Sequence, residues 1–221
     1  MNINLKISKM TGKLFGIGGL NTNTISNQYC AKMNATKGTI CSECYSVNML
    51  KTFRKGCIPA WENNSKILSE GKLAIIPQIK TLLFRFNGHG ELINAQHFEN
   101  LVSICKADYN QGVTFALWTK RKAIIHAFIR DDGVLPSNLI LVYSNPIIDS
   151  IKTKPPKHFN KIFNNVTINS KAVNCSRKCN DCRKCYDLKN TTQTIIELTK
   201  NAAKKPNNAV LVDFPKTKKV A

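Results

Sequence analysis

Apolar positions fall into short runs and helical spacings that alternate along the middle of the chain. Thr81-Leu-Leu-Phe-Arg-Phe86 reads as a buried strand running into a loop, Asn87-Gly88-His89-Gly90-Glu91. Asn94 is placed to cap a helix whose Phe98, Leu101, Val102 and Cys105 share one face, with Gly112 as its breaker. Val113-Thr-Phe-Ala-Leu-Trp118 is a second strand. Thr119-Lys120-Arg121-Lys122 follows it, then a helix with Ile124, Ile125, Phe128 and Ile129 apolar. Leu139-Ile-Leu-Val-Tyr143 is a third strand, ending at Ser144-Asn145-Pro146. Upstream, Pro59 suits the first position of a helix carrying Ala60, Trp61, Asn64, Ile67 and Leu68, and Gly71 ends it.

Strand, loop and helix repeated in this order predict a single α/β domain over 1–221. Its form is a partial (β/α) barrel or an open, mostly parallel sheet with cysteine-rich metal-binding loops. The 221 residues fall short of a full eight-unit barrel. Chemistry in such folds gathers at the C-terminal strand ends, so the loops at 87–91, 119–122 and 144–149 are predicted to face one site.

The flanks are less regular. Residues 1–29 read as an N-terminal arm, in which Leu14, Phe15, Ile17 and Leu20 suggest one short strand or a packed arm, and 21–27 a loop. The arm's glycines lack the spacing of a phosphate loop. Residues 152–165 are basic, contain Pro155-Pro156 and read as irregular, with a short strand at 166–168. Residues 171–190 form a cysteine-rich, cluster-binding insertion. Ile195, Ile196, Leu198, Thr199 and Ala202 predict a terminal helix over 191–205. A last strand is expected at 209–213, and Lys216, Lys218 and Lys219 make a basic tail.

Composition adds a partner and a compartment. No apolar run reaches the length of a membrane span, and the first ten residues contain no signal-like apolar region. A soluble, cytoplasmic chain without a membrane partner is expected. The net charge of +20, from 33 basic and 13 acidic residues, favours nucleic acid or a nucleotide as partner. Abundant Lys, Asn and Ile with little Arg is also the mark of an A/T-rich genome, which raises lysine without selection for binding.

Seven of the nine cysteines fall in two groups, a pattern that points to metal rather than disulfides. Cys30, Cys41 and Cys44 come first, spaced C-x10-C-x2-C. Three thiolates on a [4Fe–4S] cluster leave one iron open to a small ligand. Cys57 is the candidate fourth, and with it the site becomes a closed cluster or a structural zinc site. Cys175, Cys179, Cys182 and Cys185 lie within eleven residues, more compact than a zinc ribbon. Their order is a ferredoxin-type run with its spacings reversed, which favours iron–sulfur over zinc. Arg177, Lys178, Arg183 and Lys184 would offset cluster charge, or equally suit a zinc knuckle touching phosphates. Cys105, on an apolar helix face, is expected to be buried and inert.

The strand-end loops carry the remaining candidates. His89 and Glu91 are candidate catalytic groups, able to accept a proton or a hydrogen bond. Gly88 and Gly90 permit close backbone approach, so Asn87, Gly88, Gly90 and Glu91, with Thr119 and Lys120, are candidate cofactor contacts. Trp118 with the basic residues after it suits a phosphate or a base.

Four segments together resemble the phage gene product 88 family over about residues 10–190. They are Cys41-Ser-Glu-Cys44-Tyr45, Phe84-Arg85-Phe86-Asn87-Gly88-His89-Gly90-Glu91, Phe115-Ala-Leu-Trp118-Thr119-Lys120 and the late cysteine run. A more distant resemblance is to radical S-adenosylmethionine proteins. The early cysteine triplet looks like their cluster loop. Gly88-His89-Gly90-Glu91 is similar to their Gly-Gly-Glu motif, which contacts the methionine amino group of the cofactor. That superfamily spaces its triplet C-x3-C-x2-C, which here is the spacing of Cys175, Cys179 and Cys182 instead. The resemblance implies an iron–sulfur enzyme using S-adenosylmethionine to modify a nucleic acid or nucleotide. The alternative is a non-enzymatic nucleic-acid-binding protein held together by zinc.

Overall fold

The computed structural model describes residues 4–199. The elements run β1 (Ile7–Lys9), β2 (Gly18–Leu20), α1 (Gln28–Ala35), α2 (Tyr45–Lys51), α3 (Ile58–Glu70), β3 (Leu83–Phe86) and α4 (Ala95–Lys106). They continue with β4 (Thr114–Thr119), α5 (Lys122–Arg130), β5 (Leu139–Ser144), β6 (Lys161–Val166), α6 (Cys179–Cys182) and β7 (Thr194–Leu198). The strands form one open seven-stranded sheet in chain order, β1 to β7. β1 is antiparallel to β2, and every later pair is parallel. Among the described residues the sheet does not close into a barrel, because β1 and β7 remain at its two ends.

Side chains alternate across the sheet, and each face has its own cover. Phe84 and Phe86 of β3, Phe115 and Leu117 of β4, and Leu139 and Leu141 of β5 pack with Leu68 of α3, Phe98 and Leu101 of α4, and Ile125 of α5. Ala116, Trp118, Ile140 and Val142 point the other way. They meet Leu14 and Ile17 from the N-terminal arm, and Tyr186, Cys179 and Cys185 from the late cysteine run. One face is therefore covered by helices and the other by the arm and the second cysteine group.

Local signals behave as expected in the middle of the chain. Asn94 caps α4, its side chain accepting from the His97 N–H at 2.9 Å. Pro59 lies in the first turn of α3, and Gly71 follows its last residue. Cys105 is fully buried. The flanks differ. β2 is a strand without apolar alternation, because a Cβ on Gly18 would come within 2.6 Å of Thr81 Oγ1 and 2.7 Å of the Phe84 ring. Residues 152–165 are not irregular throughout, since their end is strand β6. Its polar residues are buried but bonded: Lys161 Nζ donates to the Asn190 and Thr192 carbonyls, and Asn164 exchanges bonds with the Lys152 backbone. The terminal helix expected over 191–205 is not formed where the chain is described. Thr194–Leu198 is β7, where β-branched Thr194, Ile195 and Ile196 pair with β6. Residues 200–205, the strand expected at 209–213 and the basic tail lie outside the described residues. No helix among the described residues is long and apolar enough to cross a membrane.

Candidate metal centres at the strand ends and on the opposite face

The loops after β2 and β3 are joined by hydrogen bonds. The His89 N–H donates to Asn21 Oδ1 at 2.9 Å, the Thr22 N–H to the His89 carbonyl at 3.1 Å, and the Gly90 N–H to Thr24 Oγ1 at 2.9 Å. Asn21, Thr22, Asn23, Thr24 and Asn27 are all buried in this joint. Gly90 has φ +84°, and a Cβ there would collide with Thr22 Oγ1. The close approach that Gly88 and Gly90 allow is thus made by the 21–27 loop itself. Asn87 also adopts a left-handed backbone, at φ 54°.

Glu91 binds this joint to the end of β4. It is only 4% exposed. Its Oε1 accepts from Thr119 Oγ1 at 2.6 Å and from the Leu92 N–H at 2.8 Å, and its Oε2 accepts from the Lys120 N–H at 2.9 Å. The Glu91 carbonyl accepts from Asn27 Nδ2, while Asn27 Oδ1 accepts from the Cys30 N–H at the start of α1. One asparagine therefore fixes both the first cysteine and the glutamate. The loop before Cys41 docks onto the third strand end: Ile40 N–H donates to the Pro146 carbonyl at 2.8 Å, and Thr39 bridges Ile147.

Cys30, Cys41 and Cys44 share this region with Lys120. The Cys30 thiol pKa is pushed up by burial and by Glu91, against the pull of Lys120. Burial also raises Cys41, again with Lys120 opposing. At Lys120, burial works against the ammonium, but Cys41, Glu91 and Cys30 around it more than reverse that, and its pKa stays raised. Cys57 is placed differently. The Arg54 N–H donates to the Met49 carbonyl and the Cys57 N–H to the Arg54 carbonyl, which ties Cys57 to the C-terminal end of α2. Cys44 caps the N-terminal end of the same seven-residue helix. The two residues therefore belong to opposite ends of α2, a helix roughly 10 Å long.

His89 lies inside a cage. Its Nδ1 is 2.7 Å from Ser46 Oγ, and its ring lies 4.4 Å from Trp61 and 5.4 Å from Tyr45. Burial, with Arg54 and Arg85 nearby, lowers its pKa to about 3. Burial and Arg121 lower His97 to about 3 as well. Both rings are neutral at pH 7. As pH falls below 6.5 the unfolded chain takes up two protons that the native state refuses, so stability is lost on acidification down to about pH 3. The expected slope is ~1.4 kcal/mol per pH unit for each histidine. Urea midpoints between pH 7.5 and 5 measure it. His97→Gln keeps an acceptor for the Ile93 N–H that Nδ1 now binds, and should remove about half the slope.

The second group lies on the face opposite the helices. Cys175, Cys179, Cys182 and Cys185 line one pocket with Arg177, Lys178, Arg183, Lys184 and Tyr186. Arg177 and Arg183 both adopt left-handed backbone, at φ 60° and 50°, and each begins an Arg-Lys-Cys triplet. These turns bring Cys179 and Cys185 back toward the sheet. Burial raises the pKa of Cys175 and Cys179, and pushes Cys185 up to about 12, with Cys175 and Cys179 adding to the effect. Beneath them lies Arg85 of β3, its guanidinium 4.1 Å over the Trp118 ring. Its Nε is buried without a hydrogen-bond partner, and among the described residues it forms no salt bridge. Burial works against this charge too, but Tyr186, Tyr45, Cys179 and Cys185 more than reverse it.

Among the described residues no three Cys, His, Asp or Glu side chains stand ready-made as a metal-ligand set. The fit to a metal rests instead on the donor chemistry and on Arg85 and Lys120. A buried cation needs a nearby anion, and the four groups that favour the Arg85 charge are two thiols and two phenols. Metal-bound thiolates at Cys179 and Cys185 would supply that anion, and beside Lys120 those of Cys30 and Cys41 would add to the charge that Glu91 already supplies. The residues therefore fit a thiolate-held metal or cluster at both places, with binding displacing the thiol protons.

The sequence reading did not single out Asn27, Arg85, Tyr186 or Trp61 as parts of a site. Arg85 alone carried a signal, as a charge inside an otherwise apolar strand. The site thus defines a parallel α/β protein with two cysteine groups, one at the strand ends and one on the opposite face. No family model matches the chain, and no match was found among curated proteins or solved structures.

Proposed function

We propose that this is an iron–sulfur protein with two centres. Cys30, Cys41 and Cys44 hold an open cluster at the strand ends, and Cys175, Cys179, Cys182 and Cys185 hold a closed one on the opposite face. The observation that carries this reading is Arg85, a cation with a sealed, unpartnered Nε and, among the described residues, no salt bridge, set beside Tyr186, Cys179 and Cys185. The position of Cys57 at the far end of α2 favours three ligands at the first centre. Structural zinc takes four.

The radical S-adenosylmethionine-like reading goes further. Its support is topological: the cysteine triplet follows the first parallel strand, β2, and the Gly-rich loop with Glu91 follows the next, β3. When bound, such a cluster supplies an electron to S-adenosylmethionine and so starts radical chemistry. Glu91 has three of about four acceptor positions filled, which leaves one on Oε2 for an ammonium. The net charge of +20 favours a nucleic acid or nucleotide substrate. The same segments support kinship with the phage gene product 88 family.

Anaerobic purification and reconstitution test the reading. About eight iron and eight sulfide per chain are expected for two [4Fe–4S] centres, with consumption of S-adenosylmethionine under reducing conditions. Joint replacement of Cys30, Cys41 and Cys44 by Ala is expected to remove about half the iron. Cys57→Ala is expected to leave it unchanged. A colourless protein with stoichiometric zinc would instead identify the zinc-stabilised binding protein. Loss of the first centre in Cys57→Ala would assign it a fourth protein ligand.

A further inference from the structure

Beside the first cysteine centre stand two exposed rings that metal binding does not use. Tyr45 follows Cys44 and is 48% exposed. It is nevertheless fixed: its hydroxyl donates to the Gly88 carbonyl, and its edge meets the His89 ring. His89 is itself held between Ser46 and Trp61. A ring immobilised in this way loses little further freedom when a flat partner stacks on it. Phe53 lies just beyond the other end of α2 and is 75% exposed. The two rings thus flank α2, a helix roughly 10 Å long, about the span of three nucleotides in a stacked strand.

The charge between and beyond these rings is basic, with Glu43 two residues before Tyr45 as the acidic neighbour on the other side. Residues 45–61 contain Lys51, Arg54 and Lys55 and no acidic residue. Lys51 and Lys55 are exposed, and the Arg54 guanidinium lies 6.0 Å from the Phe53 ring. Exposed rings interleaved with cations suit a strand whose bases are free to stack and whose phosphates need neutralising. A duplex hides its base faces, so the rings would gain nothing from it.

The geometry points to a binding surface for single-stranded nucleic acid, formed by Tyr45, Phe53, Lys51, Arg54 and Lys55 and leading to the first cysteine centre. This names the substrate class of the function proposed above, and it rests on that reading for the chemistry after binding. His89 is then a positioning residue that holds Tyr45.

Fluorescence anisotropy tests it, with iron-loaded protein, a labelled single strand of about 12 nucleotides as DNA and as RNA, and the matching duplex. The single strand is expected to bind at least about tenfold tighter than the duplex, and the DNA and RNA arms identify which is preferred. Phe53→Ala and Tyr45→Ala are each expected to weaken single-strand binding roughly tenfold, and Phe53→Trp to retain it. Lys51→Gln with Lys55→Gln should reduce the salt slope by about 1.4. Equal affinity for the duplex, or aromatic variants within about twofold of the parent, would overturn the inference. Circular dichroism checks folding, and Phe53 is too exposed for its truncation to disturb the core. Iron is assayed in the same preparations. Iron-loaded protein without single-strand preference overturns the surface alone. Iron-free protein that binds single strands through Phe53 overturns the iron–sulfur reading alone.

Discussion

Glu91→Ala is expected to lower the unfolding free energy by about 3–5 kcal/mol. Its carboxylate accepts from Thr119 Oγ1 and from the Leu92 and Lys120 N–H groups. Alanine leaves all three donors without that partner in a buried place. Each orphaned donor costs ~1–3 kcal/mol, reduced where water can reach half-buried Lys120 just past β4. Glu91→Gln is the informative control. Its oxygen can still take the Lys120 N–H, and Thr119 can rotate to accept from the new amide, but the Leu92 N–H loses its acceptor. About half the alanine effect is expected. Urea unfolding at constant m-value measures both. An alanine variant within about 1 kcal/mol of the parent would mean that Glu91 does not hold the strand ends together.

Arg85→Met is expected to act in opposite directions with and without metal. In loaded protein the guanidinium stands beside Cys179 and Cys185, and its loss should weaken retention of the second centre by about 10–100-fold. In chelator-treated protein the same change removes a desolvated cation that has no salt bridge. It should then be neutral or stabilising, by up to ~1–4 kcal/mol. The first centre has Lys120 as its own cation and should keep its metal. Competition with a chelator, read separately for the two centres, measures the first effect, and urea unfolding measures the second. A loss of stability in both states would reduce Arg85 to its packing on Trp118.

The legible parts of the fold were those where local pattern and tertiary environment agree. β3, β4 and β5 carry long apolar runs, and α3 and α4 have their ends marked by Pro59, Gly71 and Asn94. The bounds of β2 and most of β6 were hidden for opposite reasons. β2 is glycine where the Phe84 ring needs room, and β6 buries Lys161, Asn164 and Asn165 through bonds to distant carbonyls. β7 has apolar spacing compatible with a helix, and only the neighbouring β6 ladder makes it a strand. Within the site, the meeting of the 87–91 and 119–122 loops followed from parallel topology. The 21–27 joint did not, because small polar residues look the same in sequence whether solvated or buried. Arg85 could not be assigned a partner from sequence, since its neighbours Tyr45 and Tyr186 lie about 40 residues before it and 100 after it.

Among the described residues β7 stands at the end of an open sheet, and the chain protects that end with the segment that carries the second cysteine group. The Asn174 and Cys175 N–H groups both donate to the Ile196 carbonyl. The Asn174 side chain accepts from the Ile196 N–H and donates to the Thr194 carbonyl, and Arg177 reaches the Leu198 carbonyl. These are the groups through which a foreign strand would pair. Residues 174–177 therefore occupy, among the described residues, the pairing groups of that edge. Disruption of this short segment would offer the edge of β7 to other chains, and self-association would be its first visible sign.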